Sequence, residues 1–116
     1  MSTIYKICPR ALWQEAEKTG RFAGATIDLS DGFIHFSTAG QVKETAAKHF
    51  AGQDDLLLVA VDGKRLGTDL KYETSRGGAL FPHVYGPIRA SAVRGLRHVR
   101  RNEEGDWLLP ADLERD

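Results

Sequence analysis

Six consecutive apolar residues, Leu56-Leu57-Leu58-Val59-Ala60-Val61, stand between Asp55 and Asp62. Side chains alternate between the two faces of a strand, so an unbroken apolar run of this length requires cover on both sides. The run is shorter than an ordinary core helix and far short of the roughly 18 residues that a membrane span needs. It reads as the core strand, around which the rest of the chain must supply two layers. With 116 residues in all, the chain is read as a single domain, 1–116, with an ordered core from about 3 to 110.

The flanking segments divide by period and punctuation. Ile4 to Cys8 reads as a strand, and Pro9 opens a helix to about Lys18, with Leu12, Trp13 and Ala16 at helical spacing and Gly20 as a left-handed cap. Ala25 to Leu29 and Phe33 to Phe36 read as strands flanking the turn signal Asp31-Gly32. Thr38-Ala39-Gly40-Gln41 has capping-box spacing and starts a second helix to about Phe50, with Val42, Ala46, His49 and Phe50 on one face. Leu70 to Glu73 is a short strand, Gly77-Gly78 opens a loop running through Phe81 to Pro87, and Val93–Arg100 with Asp106–Leu109 forms a final hairpin. Pro110 ends the ordered part and the last six residues are expendable. Strands and helices without regular alternation predict an α+β fold with two main helices.

Composition removes several functions. Sixteen basic residues balance sixteen acidic ones, so no global field draws the protein to nucleic acid or to an anionic membrane. The one local excess, Arg94, Arg97, His98, Arg100 and Arg101, is followed at once by Glu103, Glu104 and Asp106, and reads as a solvated face rather than an RNA site. Cys8, the single cysteine, lies in a strand-like apolar run and reads as a small buried hydrophobe. The first residues lack a basic region followed by an apolar stretch, which points to a cytoplasmic protein with no membrane partner.

Two short segments collect the residues that carry chemistry. On a strand, His35 and Ser37 share a face, and Ser37 and Thr38 precede a helix start, where backbone donors and positive potential suit a phosphate or carboxylate. Glu73-Thr74-Ser75-Arg76-Gly77-Gly78 combines an acid, hydroxyls, a guanidinium and a flexible turn, a composition that grips an anion or a ribose. His83 and Tyr85 alternate in an extended stretch and can stack on a base. For each there is a plainer alternative: an ordinary cap, a local Glu73/Arg76 ion pair, or loop packing. His35, His49 and His83 lack short-range ligand spacing, so no metal is expected. Ser37, Ser75, His35 and Asp31 without a Gly-x-Ser-x-Gly elbow make serine hydrolysis a distant third.

The string Asp31-Gly32-Phe33-Ile34-His35-Phe36-Ser37-Thr38, with Glu73-x-Ser75-Arg76-Gly77-Gly78 and Phe81-Pro82-His83-x-Tyr85-Gly86, resembles the bacterial family catalogued as domain of unknown function 952. That resemblance covers Ile4 to Pro110. It implies the ADP-ribosyltransferase-like fold, a small split barrel of two short mixed or antiparallel sheets with NAD in the cleft between them. It also implies that His35 holds a ribose and that Glu73 steadies the transferred sugar, making these two the catalytic candidates. Ser37, Thr38, Ser75, Arg76, His83 and Tyr85 join His35 as ligand-binding candidates. Glu73 precedes Tyr85 here, whereas toxin-like relatives place the glutamate late. RNA 2′-phosphotransferase-like chemistry through Arg76, His83 and His35 is a variant reading. A non-catalytic ligand-sensing or interaction module is the rival from another class.

Overall fold

The computed structural model describes residues 3–109, and for Arg76 the backbone alone. Pro110 and the six residues after it, expected to end the ordered part, lie outside the described residues. The elements are β1 (Thr3–Pro9), α1 (Arg10–Thr19), β2 (Arg21–Phe22), α2 (Thr26–Asp31), β3 (Ile34–His35) and α3 (Val42–His49). They continue with β4 (Leu56–Asp62), β5 (Leu70–Thr74), β6 (Leu80–Val84), β7 (Ile88–Arg89), β8 (Val93–Arg101) and β9 (Trp107–Leu108). All pairings are antiparallel, in sheets ordered β1-β4-β8-β9, β3-β6-β5 and β2-β7. The result is an α+β domain with curled antiparallel sheets and few helices. No helix among the described residues is long and apolar enough to cross a membrane.

The apolar run becomes β4, the strand paired on both edges, by β1 and β8. Its two faces divide the core as alternation requires. Val59 and Val61 pack with Ile4, Cys8, Trp13 and Phe22, the last two in ring contact at 5.2 Å. Leu56 and Leu58 pack with Tyr5, Ile7, Val42 and Ala46. Thus α1 covers one face of the large sheet and α3 the other. Burial pushes the Cys8 thiol up to about 11, in keeping with an inert packing role.

Local readings that rest on period hold well. α1 stops at Gly20, which has φ 78 and donates its N–H to the Ala16 carbonyl. Pro9, read as the first residue of the helix, is instead the last residue of β1 and the cap position. The second helix splits into a 3-10 turn, Ala39–Gln41, and α3; the Thr38 N–H donates to Gln41 Oε1 at 3.0 Å. Gln41 Nε2 in turn donates to the Leu80 carbonyl at 2.8 Å, tying the turn to β6. The closing hairpin forms, with Arg101 opposite Trp107. Its basic residues are partly engaged: His98 Nε2 lies 3.2 Å from Asp55 Oδ1, and Arg101 pairs with Asp54.

Two readings are overturned. The expected strand Ala25 to Leu29 is the short helix α2, and Asp31-Gly32 is no hairpin turn. Gly32, at φ 86, is the left-handed cap that donates its N–H to the Asp28 carbonyl at 2.9 Å. The reason lies in Asp28, the one buried residue of α2. Its Oδ2 accepts the Ala25 N–H at 2.7 Å at the helix start, while Ile27 and Leu29 stay exposed. A buried carboxylate outweighs an apolar alternation that nothing covers. The second correction concerns Phe81 to Pro87, read as a loop: Leu80–Val84 is β6, the middle strand of its sheet. Pro82 is tolerated there because only its carbonyl is used, accepting the Phe36 N–H at 3.0 Å.

Gly24 stands two residues before this helix at φ 115, and a Cβ there would lie 2.7 Å from the Asp28 Cβ. A positive-φ backbone alone costs a side chain about 1–3 kcal/mol. Gly24→Ala is therefore expected to lower the urea midpoint more than Gly20→Ala, where φ is 78 and no atom lies within 4 Å. Equal losses would mean that Asp28 yields without cost.

Candidate functional site

Lys6 and Asp28 form the base of the site. Lys6 sits mid-strand in β1 at 7% exposure and Asp28 on α2 at 2%, with Nζ 2.9 Å from Oδ2 and 3.2 Å from Oδ1. Two charges taken out of water need further hydrogen bonds to be tolerated. Asp28 has them. Its Oδ1 accepts the His35 N–H at 3.0 Å and lies 2.6 Å from His35 Nδ1, while Oδ2 accepts the Ala25 N–H. Burial alone would raise the Asp28 pKa. The His35 ring, the Lys6 ammonium and the two backbone N–H groups outweigh it and hold this carboxyl well below the usual carboxylate range.

His35 Nε2 lies 3.0 Å from Asp31 Oδ2, so both ring nitrogens face carboxylates. Of the two, the Nδ1 contact with Asp28 is a hydrogen bond and the Nε2 contact with Asp31 a close approach. Opposite it, His83 on β6 is directly paired with His35 of β3, and the two rings meet edge-on at 5.6 Å. Phe33 stacks on His83 at 4.1 Å and contacts His35 and Tyr85 at 4.6 and 5.3 Å. Glu73 Oε1 accepts from Tyr85 Oη at 2.7 Å and lies 2.8 Å from His83 Nδ1. The Tyr85 hydroxyl and then the His83 ring lower the Glu73 pKa, and the same bond raises that of Tyr85. An ionised Glu73 accepts from His83 Nδ1, which leaves Nε2 as the ring nitrogen that Glu73 does not engage.

A cavity of about 810 Å³ opens beside these groups. His35, His83, Ser37 and Ser75 line it, together with Lys6, Thr45 and His49. Pro9, Leu12, Ile27, Phe36, Phe50 and Phe81 give it an apolar portion. Ser37 Oγ and Thr45 Oγ1 are 2.9 Å apart. Of the residues singled out from sequence, Glu73 and Tyr85 stand behind His83 and do not line the cavity, and Thr38 serves the helix start. The Arg76 side chain lies outside the described residues. Among those described, no group of histidine, cysteine and acidic residues is placed to hold a metal ion.

Sequence reasoning passed over Lys6, Asp28 and Phe33. Lys6 had a signal: a lysine within Ile4-Tyr5-Lys6-Ile7-Cys8 is a charge in a strand buried on both faces, and such a charge needs a partner. Asp28 gave none, because the side chains it pairs with, His35 and Lys6, lie 7 and 22 residues away.

Solved structures of protein CC0527 from Caulobacter crescentus share this fold. Its crystal structure is 48% identical in sequence and matches with a TM-score of 0.92, covering 97% of this chain and 99% of that one. A crystal structure of a double mutant matches at 47% identity and a TM-score of 0.91 with the same coverage. The solution NMR structure matches at 46% and 0.82, over 100% of this chain and 97% of that one. The family model described as protein of unknown function DUF952 matches residues 7–96. No curated protein matches the chain.

Removing the Asp28 charge leaves Lys6 buried and unpaired, so Asp28→Asn is expected to cost about 3–5 kcal/mol in urea unfolding, and Lys6→Met in the same chain to return much of it. A loss below about 1 kcal/mol would show the pair to be well solvated. Because the folded carboxyl titrates below its unfolded value of about 4, the ionised form stabilises the fold fully above that pH. Stability is expected to fall as pH drops from there toward the folded value, and less steeply in Asp28→Asn.

Proposed function

The chain belongs to the family described as protein of unknown function DUF952, and from the site itself we propose that it binds NAD or another ADP-ribose-like nucleotide in the cavity beside β1. The observation that carries the reading is the pairing of His35 and His83, each fixed by a carboxylate, at the wall of a cavity of about 810 Å³. That volume falls in the range of sites for small molecules and cofactors. Its make-up, aromatic and aliphatic in one portion with hydroxyls, imidazoles and an ammonium in another, suits a ligand with a flat base and a polar sugar phosphate. An early-strand histidine in a cleft between two sheets is also what the ADP-ribosyltransferase-like split barrel would use for a ribose.

In this reading His35 orients the sugar and His83 Nε2 meets a hydroxyl or its proton. Glu73 acts through His83, setting its tautomer, and Tyr85 holds Glu73. Cleavage at the nicotinamide ribose would build positive charge on the sugar, and the carboxylates behind the two histidines supply the compensating field.

One observation favours a second reading. Both His35 nitrogens already have protein partners, as a module whose polar residues only hold the fold together would require. Melting curves separate the two. Saturation at a hundred times the dissociation constant adds about 2.7 kcal/mol and raises the melting temperature by several degrees. NAD and ADP-ribose are expected to give that rise in the wild type and to lose it in His83→Asn, which leaves the Lys6–Asp28–His35 network untouched. A rise with 2′-phosphorylated RNA alone would move the assignment to phosphotransferase-like chemistry. No rise with any of the three would end the nucleotide reading.

A further inference from the structure

β5 is the outer strand of the sheet β3-β6-β5, and its second edge pairs with no strand among the described residues. Two bonds fix which backbone groups lie along that edge. The Tyr85 N–H donates to the Asp69 carbonyl at 2.8 Å and the Ser75 N–H to the Ala79 carbonyl at 2.9 Å, both in the register that joins β5 to β6. Hydrogen-bonded and open pairs alternate along an antiparallel ladder. Lys71 and Glu73 therefore turn their backbone groups to β6, while Leu70, Tyr72 and Thr74 turn theirs outward. Pro82, opposite Tyr72, owes β5 no N–H, which agrees with that phase. The Leu70 N–H is taken by the Gly67 carbonyl. The N–H and C=O of Tyr72 and Thr74 have no partner among the described residues.

Proteins blunt such an edge with charge, proline or a bulge. β5 contains no proline and runs along β6 without a bulge. Its charges, Lys71 and Glu73, are opposite in sign and two positions apart. Antiparallel pairing with β5 of a second copy, about a two-fold axis at Tyr72, sets each Lys71 opposite Glu73 of the partner subunit. Those positions then form a non-hydrogen-bonded pair, in which side chains approach most closely. Moving the axis by one residue sets Lys71 against Lys71 or Glu73 against Glu73, which is repulsive. The charges thus favour one register and oppose its neighbours. Glu73 also has an oxygen to spare: Oε1 holds Tyr85 and His83, and Oε2 has no hydrogen-bond partner among the described residues. Beside the same edge Tyr72 is 46% exposed, and Leu80, its diagonal neighbour on that face, 55%.

We propose that the open edge of β5 is a self-association surface, on which two copies join β5 to β5 and make one continuous antiparallel sheet. The Tyr72 N–H and C=O pair with those of Tyr72 of the partner subunit, and the Thr74 N–H donates to the carbonyl of Leu70 of the partner subunit. Tyr72 and Leu80 gain cover from the second copy. Lys71 of the partner subunit reaches the free oxygen of Glu73, the carboxylate that holds His83, so each cavity has a charge from the other copy behind one of its histidines.

The test is sedimentation equilibrium of the wild type over a concentration series, with hydrogen exchange of its backbone amides. The weight-average mass is expected to rise toward that of two chains. Over the same series the Tyr72 and Thr74 amides are expected to gain protection, while those of Lys71 and Glu73, already bonded to β6, keep theirs. Lys71→Glu turns both attractions into repulsions and is expected to weaken association about tenfold. Tyr72→Pro removes an outward N–H at an edge position, where proline is tolerated, and is expected to abolish association. If circular dichroism shows that Tyr72→Pro does not fold, Lys71→Glu decides. A wild type that stays monomeric across the series overturns the proposal. So does a dimer that the folded variants leave intact, or one in which the Tyr72 amide gains no protection.

Discussion

The Lys6–Asp28 pair is the constraint on which the rest of the site depends. A lysine in the middle of a strand buried on both faces must find an anion, and the carboxylate that reaches it comes from α2. Once there, Asp28 has lone pairs left over, which it uses on the Ala25 N–H, the His35 N–H and the His35 ring. One buried group thus starts a helix, ends the pairing between two sheets and orients a histidine. An apolar pair in the same place would pack as well, yet it would release His35 and remove the helix start.

The second constraint is where the sheets part. β1 and the segment after β3 meet at Tyr5 and Ser37 and then diverge, because a carboxylate has taken the next backbone donor. Divergence opens the cavity at the place where β3 and β6 set His35 beside His83. The polar groups of the site are therefore held by regular strands and by second partners, Asp28 and Asp31 for one ring and Glu73 for the other. Such double anchoring fixes ring orientation before any ligand arrives, which lowers the ordering cost of binding.

Resemblance and geometry contribute different things. The DUF952 match and the CC0527 structures establish the family and the fold, and neither carries an activity. Function has to be argued from the site, since one fold serves many chemistries. The roles of Glu73 and Tyr85 illustrate the point: from sequence both look like groups that touch a ligand, while in the fold they stand one residue behind the cavity and act on His83.

Much of the fold could be read without coordinates. The six-residue apolar run made β4 a two-faced core strand, the period of Leu12, Trp13 and Ala16 with Gly20 made α1, and Asn102 to Gly105 made the final hairpin. His35, Ser37, Ser75 and His83 could be singled out by residue type and alternation. These are local signals, carried by spacings of two and three to four residues. Tertiary structure decided the rest: that Ala25 to Leu29 would turn into a helix, that Leu80 to Val84 would form the middle of a sheet, and that Lys6, Asp28 and His35 would meet. The reason is physical. A strand-like alternation specifies which side chains share a face but not whether anything covers that face, and the charge that settled α2 lies 22 residues away in β1.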